Sequence, residues 1–201
     1  MQTHTLRHVV VVLVLAVLVS TATVVWWFTA EHAPRTQLEA DLRSAEAQLS
    51  ANATDTVAVE RLGVVYMRAG RYEDALSLWD SALEGSPDDP IYLFHRGETL
   101  IALNRDDEAI ESLKKATESA RNLETAFYAL AKLYEERGDW DEVVINAGQA
   151  VEIEPSDADA RFLYATALGK TGETDEARAQ FEIVRSMVPE YPGLEEALDA
   201  L

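Results

Sequence analysis

The chain has 201 residues, with 36 acidic and 17 basic side chains and a net charge of −19. It has no cysteine, which excludes disulfides, thiolate metal centres, iron–sulfur clusters and cysteine nucleophiles. A hydrophobic fraction of 48% is too high for bulk disorder, and the acidity is a poor match to phosphate backbones, so no nucleic-acid partner is expected.

The first region is apolar. Residues 1–8 form a short tail, and the whole run from Val9 to Phe28 is free of charge. As a helix this segment spans roughly 30 Å, the thickness of a bilayer core. Trp26, Trp27 and Phe28 close it, where the aromatic belt of a membrane interface lies. These features predict a transmembrane anchor over 9–28. The rival reading is a cleaved signal peptide, with Arg7 ahead of the apolar run and Ser20-Thr21-Ala22 as the cleavage region. Against it, apolar character continues past Ala22, and cleavage leaves two tryptophans and a phenylalanine near a new terminus. Arg7 on one flank against Arg35 and Arg43 on the other decides little about orientation. The layout is similar to bacterial signal anchors, a resemblance that implies an inner-membrane protein with a periplasmic or extracytoplasmic C-terminal part.

Residues 36–50 predict an amphipathic stalk helix. Thr36 and Glu39 have capping-box spacing. Leu38, Leu42, Ala45 and Leu49 form a narrow apolar stripe. The stripe suits either a short coiled-coil seam or a helix packed on the next domain. From Thr36 onward the chain has 35 acids and 15 bases. Such a surface either attracts basic partners or serves solubility.

The sequence then repeats itself at one fixed step, the distance from Gly63 to Gly97. Gly63, Tyr66, Gly70, Ala75, Ala82 and Pro87 are answered by Gly97, Leu100, Asn104, Ala109, Ala116 and Arg121. The series continues with Ala131, Tyr134, Gly138, Val143, Ala150 and Pro155, then Ala165, Leu168, Gly172, Ala177, Val184 and Pro189. The register defines four repeats without insertion: 56–89, 90–123, 124–157 and 158–191. Small residues at 63, 97, 131 and 165 let two helices approach. Gly70, Asn104, Gly138 and Gly172 suit left-handed turns between them. Val59, Leu93 and Phe127, with Trp79, Leu113 and Phe181, fill the interleaved columns, and Pro87, Pro155 and Pro189 stop the second helices. Leu194, Ala197, Leu198 and Leu201 lie on one face of a closing segment, 192–201, which suits a capping helix.

This pattern resembles the tetratricopeptide repeat family over residues 56–191. The resemblance implies an all-α, right-handed solenoid of helix pairs. Three positions depart from it: Arg96 stands in a leucine column, Arg161 in a bulky apolar column, and Ala147 in an aromatic one.

No catalytic constellation is present in the sequence. His4, His8, His32 and His95 are scattered, no serine lies in a nucleophile elbow, and no glycine loop suits a phosphate. The acidic runs at Asp88-Asp89 and Asp106-Asp107-Glu108 lack a calcium-loop pattern and suit helix N-termini. Neither an enzyme nor a cofactor is therefore expected.

The resemblance further implies that the first helices line a groove for a partner helix or peptide. Its fifth column holds Glu60, Phe94, Tyr128 and Phe162, the last three forming an aromatic ladder. Val57, Val64 and Met67, Glu98 and Ile101, Lys132 and Glu135, and Thr166 with Gly169 flank it. A basic amphipathic segment suits this lining; the competing reading has the aromatics packing between neighbouring helices. His95 faces the same groove and is read as solvated. Glu60 and Val64 stand where some family members carry a lysine–asparagine clamp, so that mode of chaperone-tail binding is not expected.

The expectation is a membrane-anchored scaffold that binds a partner's helix or peptide and assists assembly or recruitment. The layout is similar to repeat subunits of cytochrome-c maturation and envelope assembly. The alternative is a constitutive subunit of a larger membrane complex, with the groove incidental.

Overall fold

A computed structural model describes residues 37–52 and 55–201. The expected anchor, its interface aromatics Trp26, Trp27 and Phe28, and the capping threonine Thr36 lie outside these residues. Among the described residues no helix is long and apolar enough to cross a membrane.

Ten helices and no strand are found among the described residues. Helix α1 spans 37–51. It is followed by α2 (Thr56–Arg68), α3 (Tyr72–Gly85), α4 (Pro90–Ala102), α5 (Asp106–Ser119), α6 (Glu124–Arg137), α7 (Trp140–Ile153), α8 (Ala158–Thr171), α9 (Thr174–Met187) and α10 (Leu194–Asp199). Contacts divide the chain between Val65 and Tyr66, inside α2, and each part is described by itself.

In the first part, Ala45 of α1 is fully buried and Leu38, Leu42 and Leu49 are half-buried. Arg61 Nη1 of α2 donates to Gln48 Oε1 of α1 at 3.1 Å. The stripe of α1 thus faces protein. Asp55 accepts from the N–H groups of Val57 and Ala58 at 3.0 and 3.2 Å, which caps α2.

In the second part the helices stack in chain order, α3 on α4 through to α9 on α10. Two local devices recur from repeat to repeat. At the turn inside each pair, Gly70, Asn104, Gly138 and Gly172 all have positive φ. The N–H of the following residue closes onto a carbonyl in the last turn of the helix before it: Arg71 onto Tyr66, Arg105 onto Leu100, Asp139 onto Tyr134 and Glu173 onto Leu168, at 2.8–3.0 Å. Left-handed backbone at this point satisfies carbonyls that a helix end leaves open. At the turn between pairs, Asp89 and Asp157 accept two backbone N–H groups each and cap α4 and α8. Leu123 and Gly193 give α6 and α10 no side-chain cap.

Two apolar clusters form the core. The larger joins α3 to α8 around Leu76, Leu93, Leu100, Leu113, Leu130 and Val143. The smaller joins α8, α9 and α10 around Leu168, Phe181, Val184, Leu194 and Leu198. Trp79 is fully buried, and its indole N–H donates to Thr99 Oγ1 at 3.1 Å, so its one polar atom is satisfied. Gly97 is required by close approach: a Cβ there comes within 2.6 Å of Leu113 Cγ.

The departures from the repeat pattern are accommodated differently. Arg96 reaches out of its column to Asp80 at 2.7 Å. Ala147 is fully buried. Arg161 is buried, and its guanidinium donates to Gln180 Oε1 and to the Pro155 carbonyl at 2.6 and 2.7 Å, with Nε unpartnered. That carbonyl lies just past the C-terminus of α7, where a cation is favoured. Phe127, expected to fill a core column, is only half-buried.

Candidate peptide-binding face

The expected groove residues fall on both sides of the division. Val57, Glu60 and Val64 belong to the first part; Glu60 is exposed, Val64 is half-buried and Val57 is 71% exposed. Met67 and the residues from α4 onward belong to the second part, where the candidate face is built.

On α4, Phe94 is half-buried and packs against the larger cluster with Ile101, while Ile91 is exposed. Glu98 lies one turn along. His95 does not stand free in solvent as expected. Its ring stacks on Trp79, with centroids 5.1 Å apart and planes at 19°, and Nδ1 lies 2.9 Å from Glu98 Oε2. The side chain keeps 15% of its exposure. Trp79 belongs to the preceding helix, α3. The flat imidazole covers the indole while its polar edge reaches the carboxylate. His95 is therefore a packing residue that also orients Glu98.

On α6, Tyr128 is half-buried against the larger cluster. Burial first, then the Asp159 charge, hold its phenol above the ordinary range. Lys132 is paired with Glu135 one turn on. That partner hydrogen bond raises the Lys132 ammonium despite some burial. At the start of α6, Glu124 is pushed up by burial and by neighbouring Asp157, so two carboxyl groups crowd this end. Phe94 and Tyr128 thus present parts of two rings among Glu98, Glu135, Asp157 and Asp159, with Lys132 already paired.

On α8 the ladder ends differently from expectation. Phe162 lies between two rings of its own chain: Phe181 at 5.3 Å and Tyr191 at 4.7 Å, the latter stacked at 29°. It is half-buried, as Phe94 and Tyr128 are, and differs from them in these two ring contacts. Thr166 donates to the Phe162 carbonyl at 2.8 Å, and Gly169 lies under Leu201. Thr166, Gly169, Phe181, Ala197 and Leu201 line a cleft of about 190 Å³. Tyr191 is the residue that sequence reasoning missed. It stands one repeat step after Asp157, in a column where Asp55, Asp89 and Asp157 cap helices, and that substitution was the available signal.

A wider depression of about 510 Å³ lies at the α6–α7 turn, lined by Gly138, Asp139, Trp140, Asp141, Glu142, Lys170 and Thr171. Lys170 Nζ sits 6.0 Å from the centroid of the Trp140 ring. Among the described residues no group of three or more His, Asp or Glu side chains is placed to hold a metal ion.

Comparison with known proteins gives the same architecture. A family model described as Tetratricopeptide repeat matches residues 61–124 and 128–193. The chain is 26% identical over 143 residues to TPR repeat-containing protein YpiA of Bacillus subtilis (strain 168), covering 71% of this chain and 33% of that protein. It is 34% identical over 85 residues to TPR repeat-containing thioredoxin TTL4 of Arabidopsis thaliana, covering 42% and 12%. The chain thus spans a third or less of these relatives' lengths. Among solved structures it resembles the MamA protein, with TM-score 0.65, 19% identity, and 85% and 93% of the two chains covered. It also resembles YrrB, a TPR protein with an unusual peptide-binding site, with TM-score 0.64, 19% identity, and 86% and 89% covered. At that identity the likeness shows the fold alone.

Proposed function

The chain belongs to the tetratricopeptide repeat family, and on that premise we propose that it is a scaffold that holds a basic helix or peptide of a partner protein across Phe94 and Tyr128. The observation that carries this reading is the pair of part-open rings on consecutive first helices, bordered by Glu98, Glu135, Asp157 and Asp159. Half-buried rings give apolar contact at little entropic cost, because packing already fixes them. The surrounding carboxylates favour lysine or arginine on the partner and disfavour acidic competitors. A structural neighbour that is a peptide-binding repeat protein is consistent with such use.

The proposal includes membrane attachment through residues 9–28, with the repeats outside the cytoplasm, and an assembly or recruitment role. The apolar, charge-free run with its closing aromatics supports it. The reading assigns no catalysis to the chain. The alternative, a constitutive subunit of a membrane complex, draws support from Ile145 and Ile183, which are 59% and 40% exposed on the second helices.

The test is selection of a random peptide library on the full-length chain. The expected winners combine two apolar anchors with lysine or arginine. Phe94→Ala with Tyr128→Ala should weaken a winning peptide at least ten-fold while leaving helicity unchanged. Winners without basic residues, or affinity untouched by the double substitution, overturn the reading.

A further inference from the structure

We propose that His95 sets the charge with which Glu98 meets a partner's lysine or arginine. The Phe94–Tyr128 face then holds a basic segment more tightly above the titration range of histidine, about pH 5 to 8, than below it. This role rests on the reading of that face given above and adds a control to it.

The geometry fixes which proton matters. Nδ1 of His95 lies 2.9 Å from Glu98 Oε2, one helical turn along α4. An ionised carboxylate only accepts hydrogen bonds, so in the neutral ring the proton sits on Nδ1 and is donated to Glu98. Nε2 keeps the free lone pair, and the second proton adds there. The ring is held in place. Its face lies on the Trp79 indole at 5.1 Å, and Phe94, an anchor of the proposed site, stands beside it at 5.2 Å. Trp79 is bonded to Thr99, whose hydroxyl donates to the His95 carbonyl at 2.7 Å. An indole face also tolerates a cation. The imidazole can therefore change charge without changing place.

Among the described residues Glu98 is the acid in hydrogen-bond contact with the imidazole. From α3 the ring meets the uncharged Trp79, and the neighbouring acid, Asp80, is tied to Arg96 at 2.7 Å. On α5, Glu108 is tied to Arg105 and Asp107 to Arg137. On α6, Glu135 is paired with Lys132, whose raised ammonium stays charged across this range. Glu98 and Glu135 thus each have a donor three residues before them on the same helix, and the donor on α4 is the one that switches. Neutral His95 leaves the negative charge of Glu98 for the partner's cation to complete. Histidinium supplies the positive charge from within the chain, and the partner's cation meets a neutralised pair. By linkage, a bound basic segment opposes the second proton to the same extent. His95 is the only histidine among the described residues. Glu124, raised by burial and by Asp157, approaches the range from below, so the experiment removes His95 itself.

The experiment uses the full-length chain and a lysine-containing peptide selected on it at pH 8 from the random library. Its affinity is measured from about pH 8 down to about pH 5.5. Wild type should lose about three- to five-fold across that range, the scale of one part-exposed charge pair. His95→Asn, whose amide can still donate from near the position of Nδ1, should bind with the same affinity at both ends. The same peptide with its lysines replaced by glutamine should bind wild type independently of pH, which separates a charge effect from a change in packing. Glu98→Gln at pH 8 should weaken the lysine peptide about three-fold and leave the glutamine peptide unchanged. Wild-type affinity that is flat with pH overturns the inference and leaves the proposed function standing. So does a fall that His95→Asn retains or that the glutamine peptide shares, or a lysine peptide indifferent to Glu98→Gln. A chain that binds no peptide at any pH overturns both.

Discussion

Single side chains decide several properties of this chain. Gly97 has no room for a methyl group against Leu113. Gly97→Ala should therefore cost about 1–3 kcal/mol in urea unfolding, as overpacked cores do. Arg161 is the reverse case. A buried guanidinium with Nε unpartnered and no carboxylate in its hydrogen bonds occupies a column that is apolar in the earlier repeats. Replacing such a group by a well-packed apolar side chain is often neutral or stabilising. Arg161→Leu should leave stability unchanged or raise it by about 1 kcal/mol, measured the same way. Glu124 supplies a pH dependence. Burial and Asp157 raise its carboxyl above the usual carboxylate range. A raised folded-state pKa means the proton favours the folded chain, and the charged form opposes it at neutral pH. Glu124→Gln should raise Tm at pH 7. The gain should fade as pH falls through the raised range, below which the wild-type carboxyl is itself neutral.

Among the elements, the repeat pattern names the helix starts in physical terms. Left-handed backbone at Gly70, Asn104, Gly138 and Gly172 and aspartates ahead of α4 and α8 are local requirements, and local requirements are written in local sequence. Asp89→Ala should lose about 1 kcal/mol by removing the cap of α4. Asp139→Ala should lose much less, because Asp139 makes no cap bond to α7. Contacts between elements were less legible. The stack of His95 on Trp79 joins residues that no period relates, so a groove-facing histidine reads as solvated until α3 and α4 are seen together. Phe162 carries the ladder spacing of Phe94 and Tyr128, yet Tyr191 from the segment after α9 stacks on it. A repeat pattern reports what each unit offers and is silent on which side chain of the next segment meets it.

The whole chain carries −19, and several of the described cations are tied to neighbouring carboxylates, as Arg71 is to Asp74, Arg105 to Glu108 and Lys132 to Glu135. Exposed pairs of this kind add little stability. The surplus of acids instead sets the long-range field, which attracts cationic partners and is screened by salt. Binding of a basic peptide to the first-helix face should weaken steadily as salt rises. The central claim is that this face, through Phe94 and Tyr128, holds the partner. The most direct measurement is recovery of the full-length chain from its native cells in mild detergent, with quantitative mass spectrometry of the proteins that accompany it, for wild type and for Phe94→Ala with Tyr128→Ala. The account predicts a partner abundant with wild type and reduced at least ten-fold with the double variant. An identical set of partners recovered with both contradicts it and moves the interface to the rest of the chain.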